Sequence, residues 1–336
     1  MVKLKKYFIP AFFAVAIFHA LFSLWLTVLL SHETDIGVDI DVSHHINTNV
    51  PRLCQQTYFW GGGKAGSTSL YFTLVGGPGK PSNAENNGPF VNFYKEPCSG
   101  TEWQQWVSMM QNTTLCGQTT KTGVQRTHIL NGCPRNTGIS YARKISKINA
   151  GIANSTAQPT FLFLVRDPVD RITSLLNDSV RRGGSKIDIE QAAANAAKNN
   201  PLRIHMRNLF YQGEALKNLL SVVQKEQILV IPMESMSTDP QGVVNAVMDH
   251  IGGDRLDLPH TSKSKVDMKM NVGDNPTSTY KYIKLSNKTT QALRDKLRED
   301  VLLLEKLVGK RFVWSSWARD NEGDVMNTSW LTTTPV

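Results

Sequence analysis

Two segments of this chain combine residue types that grip anions. In the first, Phe59-Trp60-Gly61-Gly62-Gly63-Lys64-Ala65-Gly66-Ser67-Thr68-Ser69-Leu70, an apolar run passes into a glycine-rich turn, and a cluster of hydroxyls then opens a helical pattern. Glycines let backbone N–H groups come close to an anion, Lys64 adds a charge, and a helix N-terminus adds partial positive charge. The plainer alternative is a glycine-rich turn closed by a serine N-cap. In the second, Phe161-Leu162-Phe163-Leu164-Val165-Arg166-Asp167-Pro168-Val169-Asp170-Arg171-Ile172-Thr173-Ser174, a guanidinium leaves the end of an apolar run and a hydroxyl follows about two helical turns later. Such a pair can hold one phosphate. Ligands of open α/β sheets bind at the carboxyl ends of strands, where both segments would then lie. Arg171 is read as a surface partner of Asp167 or Asp170, with no ligand role.

The first segment is not a nucleoside triphosphate loop. The Walker pattern needs Lys directly after its second Gly, and here Lys64 stands two residues before Gly66. The order Lys64-x-Gly66-Ser67-Thr68-x-Leu70 instead resembles the 5'-phosphosulfate loop of sulfotransferases, more commonly Lys-x-Gly-Thr-Thr; Ser67 keeps the hydroxyl. The second segment resembles the same family's 3'-phosphate segment, Arg-x-Pro-x-x-Arg followed by Ser. Ile228-Leu229-Val230-Ile231-Pro232-Met233-Glu234 with Asp239-Pro240 is similar to its third strand, Glu and Asp-Pro helix start. Leu303-Leu304-Glu305-Lys306-Leu307-Val308-Gly309 before Trp314 is similar to its closing helix and tryptophan. The four segments agree in order and spacing over about 260 residues.

The resemblance implies 3'-phosphoadenosine-5'-phosphosulfate as donor co-substrate, with no metal required. It places Lys64, Ala65, Gly66, Ser67, Thr68 and Ser69 around the phosphosulfate, and Arg166 and Ser174 on the 3'-phosphate. Lys263 and Lys265 stand where relatives carry a basic loop over that phosphate; a solvated charge run is the alternative. Sulfonate transfer needs an in-line acceptor, charge stabilisation at the leaving group and a base for the acceptor proton. Lys64 is the expected stabiliser. In Golgi and heparan-type relatives the base is a Glu downstream of the loop, and Glu96 in Phe93-Tyr94-Lys95-Glu96-Pro97 resembles it, with Trp103 and Trp106 in an aromatic continuation. Cytosolic relatives use a His, and Arg126-Thr127-His128 is faintly similar to their segment. Glu96 is preferred and His128 stays open, with a surface ion pair for Glu96 and a strand-edge role for His128 as the ordinary alternatives.

The elements that must position these residues are strands followed by helices. Thr57–Trp60, Phe161–Val165 and Ile228–Ile231 read as buried parallel strands. Leu70, Leu74, Tyr71 and Val75 continue one helical pattern; Ile172, Leu175, Leu176 and Val180 form the face of a second. Asp239 is an expected N-cap with Pro240 at the first helical position and Gly252 as the stop. An alanine-rich helix at Asp188–Lys198 reads as packing, and a last helix spans roughly Thr289–Val308. The expected fold is α/β, a P-loop-like parallel sheet with helices on both faces.

The N-terminus adds a second expectation. Phe8 to Leu30 are 23 residues without formal charge, long enough to span about 30 Å of hydrocarbon. Lys3, Lys5 and Lys6 precede the run, and acids follow it, which predicts a cytoplasmic tail at 1–7, a transmembrane helix at 8–30 and a lumenal remainder; a cleaved signal ending near Ala20 is the alternative. Residues 31–50 read as a stem, 51–317 as one catalytic domain and 318–336 as a tail. Net charge is +9, three charges of which lie in the tail before the span; the excess suits an anionic ligand or a solvated basic surface. Five sequons, at Asn112, Asn154, Asn177, Asn287 and Asn327, and four cysteines, Cys54, Cys98, Cys116 and Cys133, fit an oxidising lumen. Two disulfides are expected, in one of three pairings.

The resulting expectation is a Golgi membrane sulfotransferase of single-pass type II topology. A glycan acceptor ranks ahead of protein tyrosine and of a small lipid or metabolite. No nucleic-acid partner is expected and the oligomeric state is open. The rivals are a lumenal kinase, which the misplaced lysine disfavours, and a non-catalytic glycan-binding protein of the same fold.

Overall fold

The computed structural model describes residues 55–61, 63–75, 90–93, 117–119, 123, 125–132, 142–143, 145, 158–181, 187–198, 210–254, 256 and 281–319. The apolar run at 8–30, the stem, the four cysteines, Glu96, Lys263 and Lys265 lie outside the described residues. Among the described residues no helix is long and apolar enough to cross a membrane.

Five strands form one sheet: β1 (Gln55–Trp60), β2 (Phe90–Phe93), β3 (His128–Asn131), β4 (Thr160–Val165) and β5 (Ile228–Pro232). Their order is β2-β3-β1-β4-β5, and every pairing is parallel. Strands buried on both faces need no polar alternation, which is why Thr-Phe-Leu-Phe-Leu-Val at β4 is a continuous apolar run and is buried throughout. The register sets Tyr58 beside Phe161 and Trp60 beside Phe163, so β1 and β4 reach the same carboxyl edge together. From β1 the chain crosses to β2 and β3 on one side; from β4 it crosses to β5 on the other. The gap between β1 and β4 is therefore the topological switch point, where open α/β sheets bind ligands.

Successive side chains of one strand feed opposite cores. Tyr58, Trp60, Phe161, Phe163 and Val165 pack with Ala215, Leu216 and Leu219 of helix α4 (Gln212–Leu220) and with Leu304 and Val308 of helix α7 (Asn287–Val308). Phe59, Leu162, Leu164 and Ile231 pack with Leu70, Tyr71 and Leu74 of helix α1 (Ser67–Leu74) and with Val243, Val244 and Val247 of helix α6 (Pro240–Ile251). Helices thus cover both faces, as expected. Each fully buried large apolar side chain here contributes about 1.5–3 kcal/mol relative to exposure.

A third cluster joins Val169 and Ile172 of helix α2 (Pro168–Arg181), Ala193 of helix α3 (Ile189–Lys198), and Leu293 and Leu297 of α7. It steadies the helix that leaves β4. Asp239 accepts from the Gly242 amide at 2.8 Å and Gly252 closes α6 with φ 71°, matching the expected cap and stop. A short helix α5 (Met233–Thr238) sits between β5 and α6.

Candidate functional site

The loop after β1 is shaped by steric necessity. At Gly61, φ is 102°, and a Cβ would lie 2.5 Å from the carbonyl oxygen of Leu164 on β4. Only glycine permits that approach. Lys64 takes a left-handed φ of 68°, which a non-glycine residue adopts at a cost, and Gly66 takes φ 85° as the residue preceding α1. Ala65 is fully buried behind the turn, Ser67 and Ser69 are buried, and Thr68 is half-buried. Because α1 begins at Ser67, its first-turn amides and the positive end of its dipole are directed to the loop side.

The second segment grips the first. Arg166 donates from Nη1 to the carbonyl oxygen of Lys64 at 3.2 Å. Arg171, expected at the surface, is instead 1% exposed. Its Nε donates to the Gly63 carbonyl at 3.0 Å and its Nη2 to the Gly61 carbonyl. The reason is the tight approach of the loop to β4, which carries those carbonyls onto α2. Burial first, and the Arg166 charge second, push the Arg171 pKa down to about 9, so it remains cationic at neutral pH. A buried cation beneath the turn ties loop carbonyls inward and adds positive potential to the anion site.

Backbone position at Arg166 is held by Gln212, itself 1% exposed. Gln212 accepts from the Arg166 amide at 3.0 Å and donates to the Arg166 carbonyl at 2.7 Å. Asp300 on α7 in turn accepts from the amides of Gly213 and Glu214, at 3.0 and 2.8 Å, at the start of α4. Asp167 receives the Val169 amide at 2.8 Å and the Trp317 indole N–H at 3.3 Å, which caps α2 and ties it to the 3-10 turn Val313–Ala318. Desolvation raises the Asp167 pKa, with Asp170 adding to it.

Ser174 is half-buried two turns along α2, on the helix that Arg166 precedes. One turn further, Asp178 pairs with Lys64 at 2.9 Å through Oδ2 and with Arg181 at 2.7 Å through Oδ1. Glu234 follows β5 at the same edge. It is exposed by area, so the desolvation that raises its pKa is partial, and the nearby Arg166 charge opposes it.

No protein-family model matches the chain, and no curated protein sequence does. Among solved structures, a sulfotransferase from Alicyclobacillus acidocaldarius is similar at 18% identity and a TM-score of 0.52, covering 80% of this chain and 100% of that one. The chain has the sulfotransferase fold. The sulfotransferase domain from the curacin biosynthetic pathway matches at 15% identity and TM-score 0.31, covering 74% of this chain and 98% of its own. The sulfotransferase domain of the Synechococcus PCC 7002 olefin synthase matches at 15% and 0.37, covering 78% and 97%. These last two are too distant in geometry to add to the assignment.

Within that fold, the structure places one of the two candidate bases, His128. His128 opens β3 and pairs in register with Gln55, the first residue of β1. Five residues of strand, about 16 Å, separate that level from the end of β1. The imidazole is 4% exposed, and its two nitrogens lie 2.8 Å from Thr127 Oγ1 and 3.0 Å from the Ile251 carbonyl oxygen. Burial lowers its pKa. His128 is therefore a core histidine at the amino edge of the sheet, not a group that reaches the loop. The chain leaves β2 at Phe93, level with Tyr58 and thus on the carboxyl edge; Glu96 follows three residues later, outside the described residues.

The sequons divide as well. Asn177 is 3% exposed, donates to the Thr173 and Ile283 carbonyls at 2.8 and 2.9 Å, and accepts from the Ile283 amide at 2.8 Å. A buried amide so engaged is not an acceptor for glycan. Asn287, the first residue of α7, is exposed. Asn112, Asn154 and Asn327 lie outside the described residues. Among the described residues no group of three or more His, Cys, Asp or Glu is placed to hold a metal ion.

Proposed function

We propose that this protein transfers a sulfonate group from 3'-phosphoadenosine-5'-phosphosulfate to a hydroxyl or amine acceptor. The observation that carries the reading is the contact between Arg166 Nη1 and the Lys64 carbonyl oxygen. It joins two anion-binding segments at the switch point of a sheet with the sulfotransferase fold, so one multiply charged nucleotide spans both.

The residue types fit that donor. Lys64 and the start of α1 take the phosphosulfate; Arg166 and Ser174 take the 3'-phosphate; Lys263 and Lys265 are assigned to a basic loop over it. In the reaction the acceptor oxygen or nitrogen bonds to sulfur while the bond from sulfur to the bridging phosphate oxygen breaks. Adenosine 3',5'-bisphosphate leaves with that electron pair, and Lys64 offsets the growing charge. Glu96 takes the acceptor proton. Removing a preorganised charge stabiliser of this kind costs roughly 100–1000-fold in turnover.

The finer reading is a type II protein of the Golgi membrane with a glycan acceptor. It rests on the uncharged run from Phe8 to Leu30, the lysines before it, the exposed sequon at Asn287 and the cysteine count. The test is incubation of the protein with radiolabelled donor and a panel of glycans, tyrosine peptides and sterols, beside a Lys64→Ala variant. Label appearing in a glycan only with the unmodified protein supports the transferase and its glycan acceptor. Label in a peptide or sterol keeps the enzyme and replaces the acceptor. No Lys64-dependent transfer to any acceptor contradicts it.

A further inference from the structure

We infer that Asp178 is a positioning residue that holds the Lys64 ammonium in a parked state, from which the donor anion must release it. The inference rests on the sulfotransferase reading above and concerns how the same site is regulated. Ser174, Asp178 and Arg181 stand at i, i+4 and i+7 on α2, so they share one helical face. Lys64 reaches that face from the loop after β1, and its Nζ lies 2.9 Å from Asp178 Oδ2.

The lysine and aspartate side chains are only 13% and 11% exposed. Solvent and salt therefore screen their attraction weakly, and a lone carboxylate at this spot would oppose an incoming polyanion. Asp178 uses its other oxygen, Oδ1, for Arg181. When Lys64 turns to a phosphosulfate oxygen, Asp178 keeps a cationic partner. The exchange thus strands no charge on either side. Arg181, 31% exposed, is the standing partner and Lys64 the one that changes hands. The arrangement lowers affinity for the bisphosphate product as well as the donor, which favours product release after transfer.

The experiment is calorimetric titration of adenosine 3',5'-bisphosphate into the full chain and four variants. Asp178→Asn is expected to bind roughly tenfold more tightly than the unmodified protein. Arg181→Met, which removes the second cation from Asp178, is expected to bind several-fold more weakly. In a Lys64→Met background, adding Asp178→Asn should give a markedly smaller gain, because no ammonium remains to be released. A merely structural ion pair would not produce that dependence on Lys64. Equal gains in both backgrounds, or no gain from Asp178→Asn, overturn the inference while leaving the donor site intact. An unmodified protein that binds no bisphosphate overturns the sulfotransferase reading itself.

Discussion

Arg171 donates from Nε to the carbonyl oxygen of Gly63 at 3.0 Å, reaching from α2 to the loop that follows β1. This bond and its companion to Gly61 fix the loop from beneath. Arg171→Met leaves both carbonyls without that donor, which should cost about 2–4 kcal/mol of stability. Bisphosphate affinity should fall with it. Arg171→Lys restores the charge but only part of the fork, so it should recover affinity partially. Urea unfolding and calorimetric titration of the two variants check both expectations.

Asp300 makes folding stability depend on pH. Burial raises its pKa from 3.8 to about 6 despite the two amides it accepts. The native state thus holds a proton that the unfolded chain releases earlier. Its stabilising contribution is complete below about pH 4 and is lost as pH rises through about 6, a change of about 3 kcal/mol. Urea midpoints measured from pH 4 to 7.5 should show this decline relative to Asp300→Asn, which has no proton to lose. Parallel curves for the two proteins would remove Asp300 as the source.

Asn177 should remain unmodified when the chain is produced through a secretory pathway, and Asn287 should carry glycan. Mass-spectrometric peptide mapping distinguishes them. Asn177→Ala removes three hydrogen bonds, one buried and two part-buried, and should destabilise the fold by about 2–3 kcal/mol.

The two candidate bases separate cleanly by kinetics. Glu96→Gln should lower kcat by roughly 100-fold or more while bisphosphate affinity stays nearly constant. His128→Asn should change kcat by less than about threefold, since its ring faces Thr127 and Ile251 rather than the loop. A large kcat loss in His128→Asn, measured in steady-state assays, would reverse the assignment.

The central strands were legible because β1, β4 and β5 are apolar runs next to glycine-rich or Asp-Pro punctuation. β2 and β3 are not legible as strands of the sheet: each has four residues, and Phe-Val-Asn-Phe and His-Ile-Leu-Asn mix polar groups into too short a run. The anion segments were visible as local motifs. What the motifs hide is tertiary. Arg171 lies four residues from Asp167, the spacing of a surface pair, and only the glycine-enforced approach of Gly61 to Leu164 brings loop carbonyls to it. Gln212, Asp178 and Asp300 lie 46, 114 and 87 residues from their partners Arg166, Lys64 and Gly213, and no local pattern marks such pairings. Glu96, Lys263 and Lys265 stand on the motif resemblance.

The most direct measurement is the affinity of adenosine 3',5'-bisphosphate for the unmodified chain, for Arg166→Ala and for Lys64→Ala. Each residue contacts a different end of the nucleotide in this account, and Gln212 holds the backbone at 166 whatever its side chain. Arg166→Ala should therefore stay folded, and each variant should bind at least roughly tenfold more weakly. Affinity unchanged by Arg166→Ala, in a protein that still melts cooperatively, would contradict a single nucleotide held by both segments.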